Sequence, residues 1–286
     1  MRPCINYPKQ VSWKLDLSSF VSANDCFSTD TRKKIKKTLS LLKDAGYYWD
    51  ISPIDASYAE LFYPIYKQHI IQKDHPVIID IPHRLRLAEN EGKNSHAISL
   101  YNSKKQYIGG IIFTYKNAES IISIAFRVFP KQIELKLPIG LSISADYLLY
   151  KYAKEQQIHT LFHGKDKNGY GLQSSIGLAL FKFQTACRPF ISGTKPPGIY
   201  QRELYDLKGS SLAFISSKDD TLHPDPVINY DITQSNIGVL YFLGTNSGEY
   251  INNAILYIPK EQEEILKKKY ELLYKQPFVQ IETILY

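Results

Sequence analysis

The sequence predicts an α+β protein: a mixed, mostly antiparallel central sheet flanked by helices, followed by a β-rich C-terminal part. Three stretches carry this. ISIAFRVF (122–129) and IHTLFH (158–163) are short, apolar and rich in β-branched and aromatic residues, as buried strands are. SISADYLLYKYAKEQQ (142–157) lies between them and reads as a helix, with Ile143, Tyr147, Leu148 and Ala153 near one face and Ser142 or Ser144 available as cap. Strand, helix and returning strand make a β-α-β unit, so part of the sheet is parallel. HAISLYNSKKQYIGGIIFTYKNAESIISIAFRVF reads as three strands turning at SKK and KNAE, an antiparallel meander. Gly109 and Gly110 within its middle strand call for a bulge or a close backbone approach.

In chain order, residues 1–30 read as polar and irregular, with Trp13 and Phe20 as anchors. STDTRKKIKKTLSLLKDAG reads as a helix capped by Ser28, Thr29 or Asp30, packed through Ile35, Leu39 and Leu42 and ending before Gly46. Its run Arg32, Lys33, Lys34, Lys36 and Lys37 is either a solvated face or a patch that attracts phosphate. YYWDISPID reads as a strand. SYAELFYPIYKQHIIQK reads as an amphipathic helix kinked or broken at Pro64, with a shorter helix after Pro82. GKDKNGYG (164–171) reads as a polar loop, IGLALFKFQ as a helix and the residues around Pro189 as a strand. SGTKPPG is the strongest boundary signal. Beyond it come strands at IYQRELYDL, LAFISS and NIGVLYFLG, then a strand, one long amphipathic helix and a last strand. The expected domains are an arm with a basic helix (1–46), a core domain (47–198) and an accessory domain (199–286).

The 286 residues are 44% hydrophobic and 22% charged, an ordinary globular balance sufficient for one large or two modest domains. No apolar run approaches the ~20 residues of a membrane span, and the first residues hold no signal-like apolar core. Cys4, Cys26 and Cys187 form no metal-type spacing and fit a reducing cytoplasm. No metal is expected. Cys187, beside Arg188 and Pro189, reads as a buried thiol. A formal charge of +7 suits an anionic partner without naming one.

From Tyr47 the element order is strand, two helices, three-strand meander, helix, strand, helix, strand. This order resembles the GCN5-related N-acetyltransferase superfamily, above all its Fem-type and related acyltransferase branches. The likeness rests on the strand with Gly109-Gly110, the ADYLLYKYAKEQQ helix, the strand ending in HG, and IGLALFKFQTACRPF, with Phe181-Lys182 on a helix before a strand entered through a proline. The superfamily's pyrophosphate loop, Arg/Gln-x-x-Gly-x-Gly/Ala, is matched here only by Gly140 in KQIELKLPIGLSIS.

The resemblance implies that strands 122–129 and 159–164 splay and receive acyl-CoA as co-substrate. Backbone groups of Phe126, Arg127 and Val128 would then meet the pantetheine arm and the oxyanion. The loop before Ser142, with Gly140 and the charges of Lys131 and Lys136, would take the pyrophosphate at a helix N-terminus. Asn168 would bond the cofactor arm and Tyr170 would protonate the leaving thiolate. Of the groups flanking the gap, His163 best matches a general base, with Asp166 as a loop carboxylate or a group that positions the amine. His96, His159 and His223 have weaker claims. The accessory part would bind the acceptor through HPDPVINYD and LGTNSGEY, with Tyr230, Asn246 and Glu249. The leading expectation is an N-acyltransferase acting on a nucleotide-linked (dTDP-type) amino sugar. The alternatives are a Fem-like aminoacyltransferase that takes its donor from tRNA, the one nucleic acid expected, in peptidoglycan synthesis, and a non-catalytic binding module on the same fold.

Overall fold

A computed structural model of the chain describes residues 4–8, 10–72, 78–116, 120–171, 174–191, 199–206, 212–217, 238–244 and 248–285. In chain order the elements begin β1 (Cys4–Pro8), β2 (Gln10–Asp16), α1 (Thr29–Asp44), β3 (Tyr48–Pro53), α2 (Tyr58–Ile71), α3 (Ile81–Asn90) and β4 (Asn94–Tyr101). Then come β5 (Tyr107–Lys116), β6 (Ile121–Val128), α4 (Leu141–Glu155), β7 (Thr160–Lys167), α5 (Ile176–Gln184), β8 (Arg188–Phe190) and β9 (Ile199–Asp206). The last are β10 (Leu212–Ser217), β11 (Val239–Leu243), β12 (Asn253–Ile258), α6 (Glu263–Lys269), α7 (Glu271–Lys275) and β13 (Gln280–Leu285). Two compact units result, Leu15–Gly164 and Met1–Lys14 with Lys165–Tyr286.

Within Leu15–Gly164 the strands lie in the order β3-β4-β5-β6-β7. The first three pairings are antiparallel, and β6 runs parallel to β7 through the α4 crossover. Helices cover both faces, so β5 reads IGGIIF rather than alternating. Ile112 and Val128 pack under α2 and α3, while Phe113 meets Tyr152 of α4. The glycine pair does allow close approach. A Cβ on Gly109 would lie 2.5 Å from the Val128 carbonyl, and one on Gly110 would strike the Ile98 carbonyl.

In the other unit, β1-β9-β10 form one sheet and β11-β12-β13 another, the latter with β12 and β13 parallel. β2 pairs with β8.

The structure departs from the sequence reading in five places. Residues 4–16 are two strands, because Val11, Trp13 and Leu15 alternate into a core. α2 continues through Pro64, since the buried stripe Ala59, Phe62, Tyr66 and Ile70 outweighs one lost backbone bond. α4 turns a different face inward, burying Ile143, Asp146, Leu149, Tyr150 and Ala153, and begins at Gly140 with no serine cap. β7 runs to Lys167, into the expected loop. The C-terminal helix is two short helices that break at buried Tyr270.

Candidate functional site

β6 and β7 stay paired for three positions only, Ile121–Thr160, Ile122–Leu161 and Ser123–Phe162. β6 then continues to Val128 paired with β5 but no longer with β7. Where they part, the β5–β6 register shifts: Ile112 faces Phe126 and Phe113 faces Ile124, so Ala125 is the extra residue of a bulge. A bulge bends its strand and increases its twist, which is the local cause of the gap. Ala125 is exposed there.

The loop from β6 leads to the N-terminus of α4. Gly140 caps it in an extended conformation with no side-chain bond, and no acidic residue sits in the first turn, so the positive end of the helix is unneutralised. Lys131, Lys136 and Gly140 are exposed and Ser142 is half-buried. Beside the loop, a pocket of about 490 Å³ is lined by Tyr47, Asn102, Gln106, Tyr107, Gln132 and Glu134, among others.

The side chains at the gap serve packing. Phe126 meets Tyr66 of α2 edge-on, with ring centres 6.1 Å apart, and Val128 joins the same cluster. Arg127 points to α4, where its guanidinium grips Asp146 with both nitrogens, one at 2.9 Å. Asp146 is fully buried, which explains why a carboxylate sits in the inward stripe of α4. Only the backbone of these three strand residues remains to act on a ligand.

His163, expected as base, follows the last paired residue of β7. It is 4% exposed, its Nε2 lies 3.0 Å from the Tyr150 hydroxyl, and its ring meets Tyr150 edge-on. That is the setting of a packed strand histidine.

Asp166 and Tyr170 do come together, in the unit formed by the chain's two ends. The Tyr170 hydroxyl donates to Asp166 at 3.2 Å and accepts from the Trp13 indole at 3.0 Å. Tyr170 is fully buried. Burial, and then the charge of Asp166, hold its hydroxyl well above the usual range, so it stays protonated and is a poor acid for a departing thiolate. Burial also raises Asp166, against the opposing charge of Lys182 and the hydrogen bonds from Tyr170 and Trp13. The folded protein therefore binds this proton more tightly than the unfolded chain, and stability falls as pH rises from the unfolded value, about 3.9, through the higher folded one. Asp166→Asn should flatten the fall in stability that begins above about pH 3.9, measured as the urea midpoint against pH. An unchanged slope would show that Asp166 does not titrate in this window.

Lys182, which the sequence reading used only as part of its helix, is a buried charge. It is 7% exposed on α5 beside Asp166. The signal was its place in the helical stripe Ile176, Ala179, Lys182 and Phe183, otherwise apolar.

Asn168 does not await a cofactor. Its amide nitrogen donates to the Pro8 and Phe242 carbonyls at 2.9 and 2.8 Å, and its oxygen accepts from the amides of Phe242 and Gly169. All four hydrogen-bonding positions of the side chain are spent on backbone. Asn168→Ala should cost at least about 2 kcal/mol in denaturant titration, because it takes a partner from two buried carbonyls and two amides. A loss below half of that would reopen a ligand role.

Tyr230 and Asn246, with HPDPVINYD, lie outside the described residues. Glu249 is exposed, and its carbonyl accepts from the Ile191 amide. Among the described residues, no helix is long and apolar enough to cross a membrane.

No protein-family profile matches the chain, and no curated protein matches it in sequence. Solved structures do match in backbone course. FemX shares 13% identity with a TM-score of 0.46, covering 64% of this chain and 60% of that one. L-PGS from Bacillus licheniformis shares 13% with a TM-score of 0.43, covering 65% and 59%. The C-terminal domain of a putative lysylphosphatidylglycerol synthetase from Agrobacterium fabrum shares 9% with a TM-score of 0.39, covering 65% and 60%. The chain spans about three-fifths of the length of each of these structures.

Proposed function

We propose that the chain is an aminoacyl transferase of the Fem-like kind, which moves an aminoacyl group from tRNA to the amine of an acceptor such as a peptidoglycan precursor. The observation that supports it is the gap between β6 and β7 at the Ala125 bulge, in the same unit as the uncapped start of α4. In this reading the amine attacks the ester carbonyl and a C–N bond forms. Backbone amides on the β6 edge that β7 leaves open stabilise the oxyanion. The C–O bond to the ribose then breaks, and the proton lost by the amine ends on the leaving oxygen. The donor is assigned to tRNA rather than acyl-CoA for two reasons. The loop before α4 has Gly140 alone where a pyrophosphate cradle needs several glycines, and Asn168 is spent on backbone. The nucleotide-linked amino sugar is not retained as acceptor.

The test offers tRNA charged with radiolabelled amino acids, and radiolabelled acetyl-CoA in parallel, with an amine-bearing precursor peptide. Label passing from tRNA to the peptide supports the reading, and label passing only from the thioester overturns it. His163 carries no proton in this reading. His163→Gln should keep kcat within a few-fold, whereas a loss of about a hundredfold would mark it as the base after all.

A further inference from the structure

Helix α1 packs through Thr31, Ile35, Thr38 and Leu42. That stripe leaves Arg32, Lys33 and Lys36 on an adjoining face, where they line a groove of about 410 Å³ with Ser22, Asn24 and Thr29. Arg32 and Lys36 stand one turn apart, about 6 Å along the axis. Arg32 is held in place: its Nη2 donates to Thr29 Oγ1 at 2.9 Å, and its Nη1 lies 3.8 Å from Asp25. Asp25 is the one acid in the groove wall. The Ser22 hydroxyl and amide bind its carboxylate at 2.8 and 2.9 Å and hold it below the usual range. Lys34 turns away to pair with Asp30 at 2.6 Å, while among the described residues no carboxylate pairs with Lys33 or Lys36. Three cations against one committed carboxylate leave the groove positive; each lining residue carries a polar or charged group, although much of the exposed wall is aliphatic stem.

We propose that this groove is a docking site for the phosphate backbone of an RNA strand, with Arg32 taking one phosphate through its planar fork and Lys33 and Lys36 meeting its neighbours. The hydroxyl and amide walls suit sugar and phosphate oxygens; a lipid surface would call for apolar side chains beside the cations. The inference extends the reading of an RNA-borne donor, but it concerns binding and is tested apart from transfer.

Binding of uncharged bulk tRNA to the full chain is followed by fluorescence anisotropy across a salt series. The comparison is with Arg32→Glu/Lys33→Glu/Lys36→Glu and with a charge-matched control, Lys43→Glu/Lys260→Glu/Lys268→Glu, all checked for unchanged Tm. The groove variant should lose affinity about tenfold or more, and its log-log salt slope should shrink by about 2, while the control stays near wild type. Equal loss in both variants, or wild-type binding by the groove variant, overturns the site. So does binding of the wild type, but not the groove variant, to phosphatidylglycerol vesicles without binding tRNA. Groove-dependent tRNA binding with no aminoacyl transfer sustains the site and defeats the activity. Transfer that survives in the groove variant with unchanged KM for charged tRNA defeats the site and spares the activity.

Discussion

Replacing Arg127 with methionine is expected to destabilise the protein by about 3–5 kcal/mol, read from urea or thermal unfolding. Arg127 and Asp146 form a two-toothed pair between the part of β6 that β7 leaves open and the first turns of α4. Asp146 has no exposed surface, and the Arg127 side chain has 18%. Removing the arginine strands a fully buried carboxylate, whereas removing Asp146 leaves a cation that still reaches water. Arg127→Met should therefore cost more than Asp146→Leu. The double variant Arg127→Met/Asp146→Leu should recover much of the loss, because an apolar pair needs no desolvation to be repaid. Two single variants whose costs simply add would show that the pair holds no helix to the strand. If the β6–β7 gap receives the acyl donor, Arg127→Met should also raise KM for that donor.

Replacing Trp13 with alanine is the second large effect, about 3–5 kcal/mol. Trp13 is fully buried. Its ring meets Tyr170, Phe183 and Phe242 edge-on, with centres 6.3, 5.2 and 5.5 Å away. The indole N–H also supplies one bond to the Tyr170 hydroxyl. Tyr170→Phe tests the hydroxyl without the ring and should cost about 1–3 kcal/mol, since it removes the bond to Asp166 and leaves the indole N–H with Asp166 as its remaining acceptor. The chain has two tryptophans, so Trp49 still reports unfolding in Trp13→Ala. A change below about 1 kcal/mol would mean that the N-terminal strand contributes little to the unit it shares with the C-terminal half.

What could be read in advance follows from how local each signal was. The meander, α1, α4, α5 and the strands after residue 199 were legible because period-2 and period-3.6 patterns and turn residues act within a few positions. The first two strands were missed although Val11, Trp13 and Leu15 alternate, because Lys, Asp and Ser between them made the segment look like an arm. Pro64 was overweighted, since a local rule counts the lost bond but not the face that α2 buries. The inward face of α4 was misread for a related reason. The observed face includes Asp146, whose burial depends on a partner 19 residues earlier that no local pattern announces.

The site divides in the same way. From the sequence alone came the β-α-β unit and the basic run on α1, each set by short-range spacing and composition. The strand pair that would separate, and the loop with Gly140 as an anion site, came from the family resemblance. Only the tertiary structure decided which side chains were free to act. It committed Asn168 to four backbone partners, His163 to Tyr150 and Tyr170 to Asp166 and Trp13, and it buried Lys182 beside a carboxylate. These pairings join residues up to 160 positions apart. Hydrogen bonding and desolvation depend on what the fold brings alongside, and no local pattern encodes that.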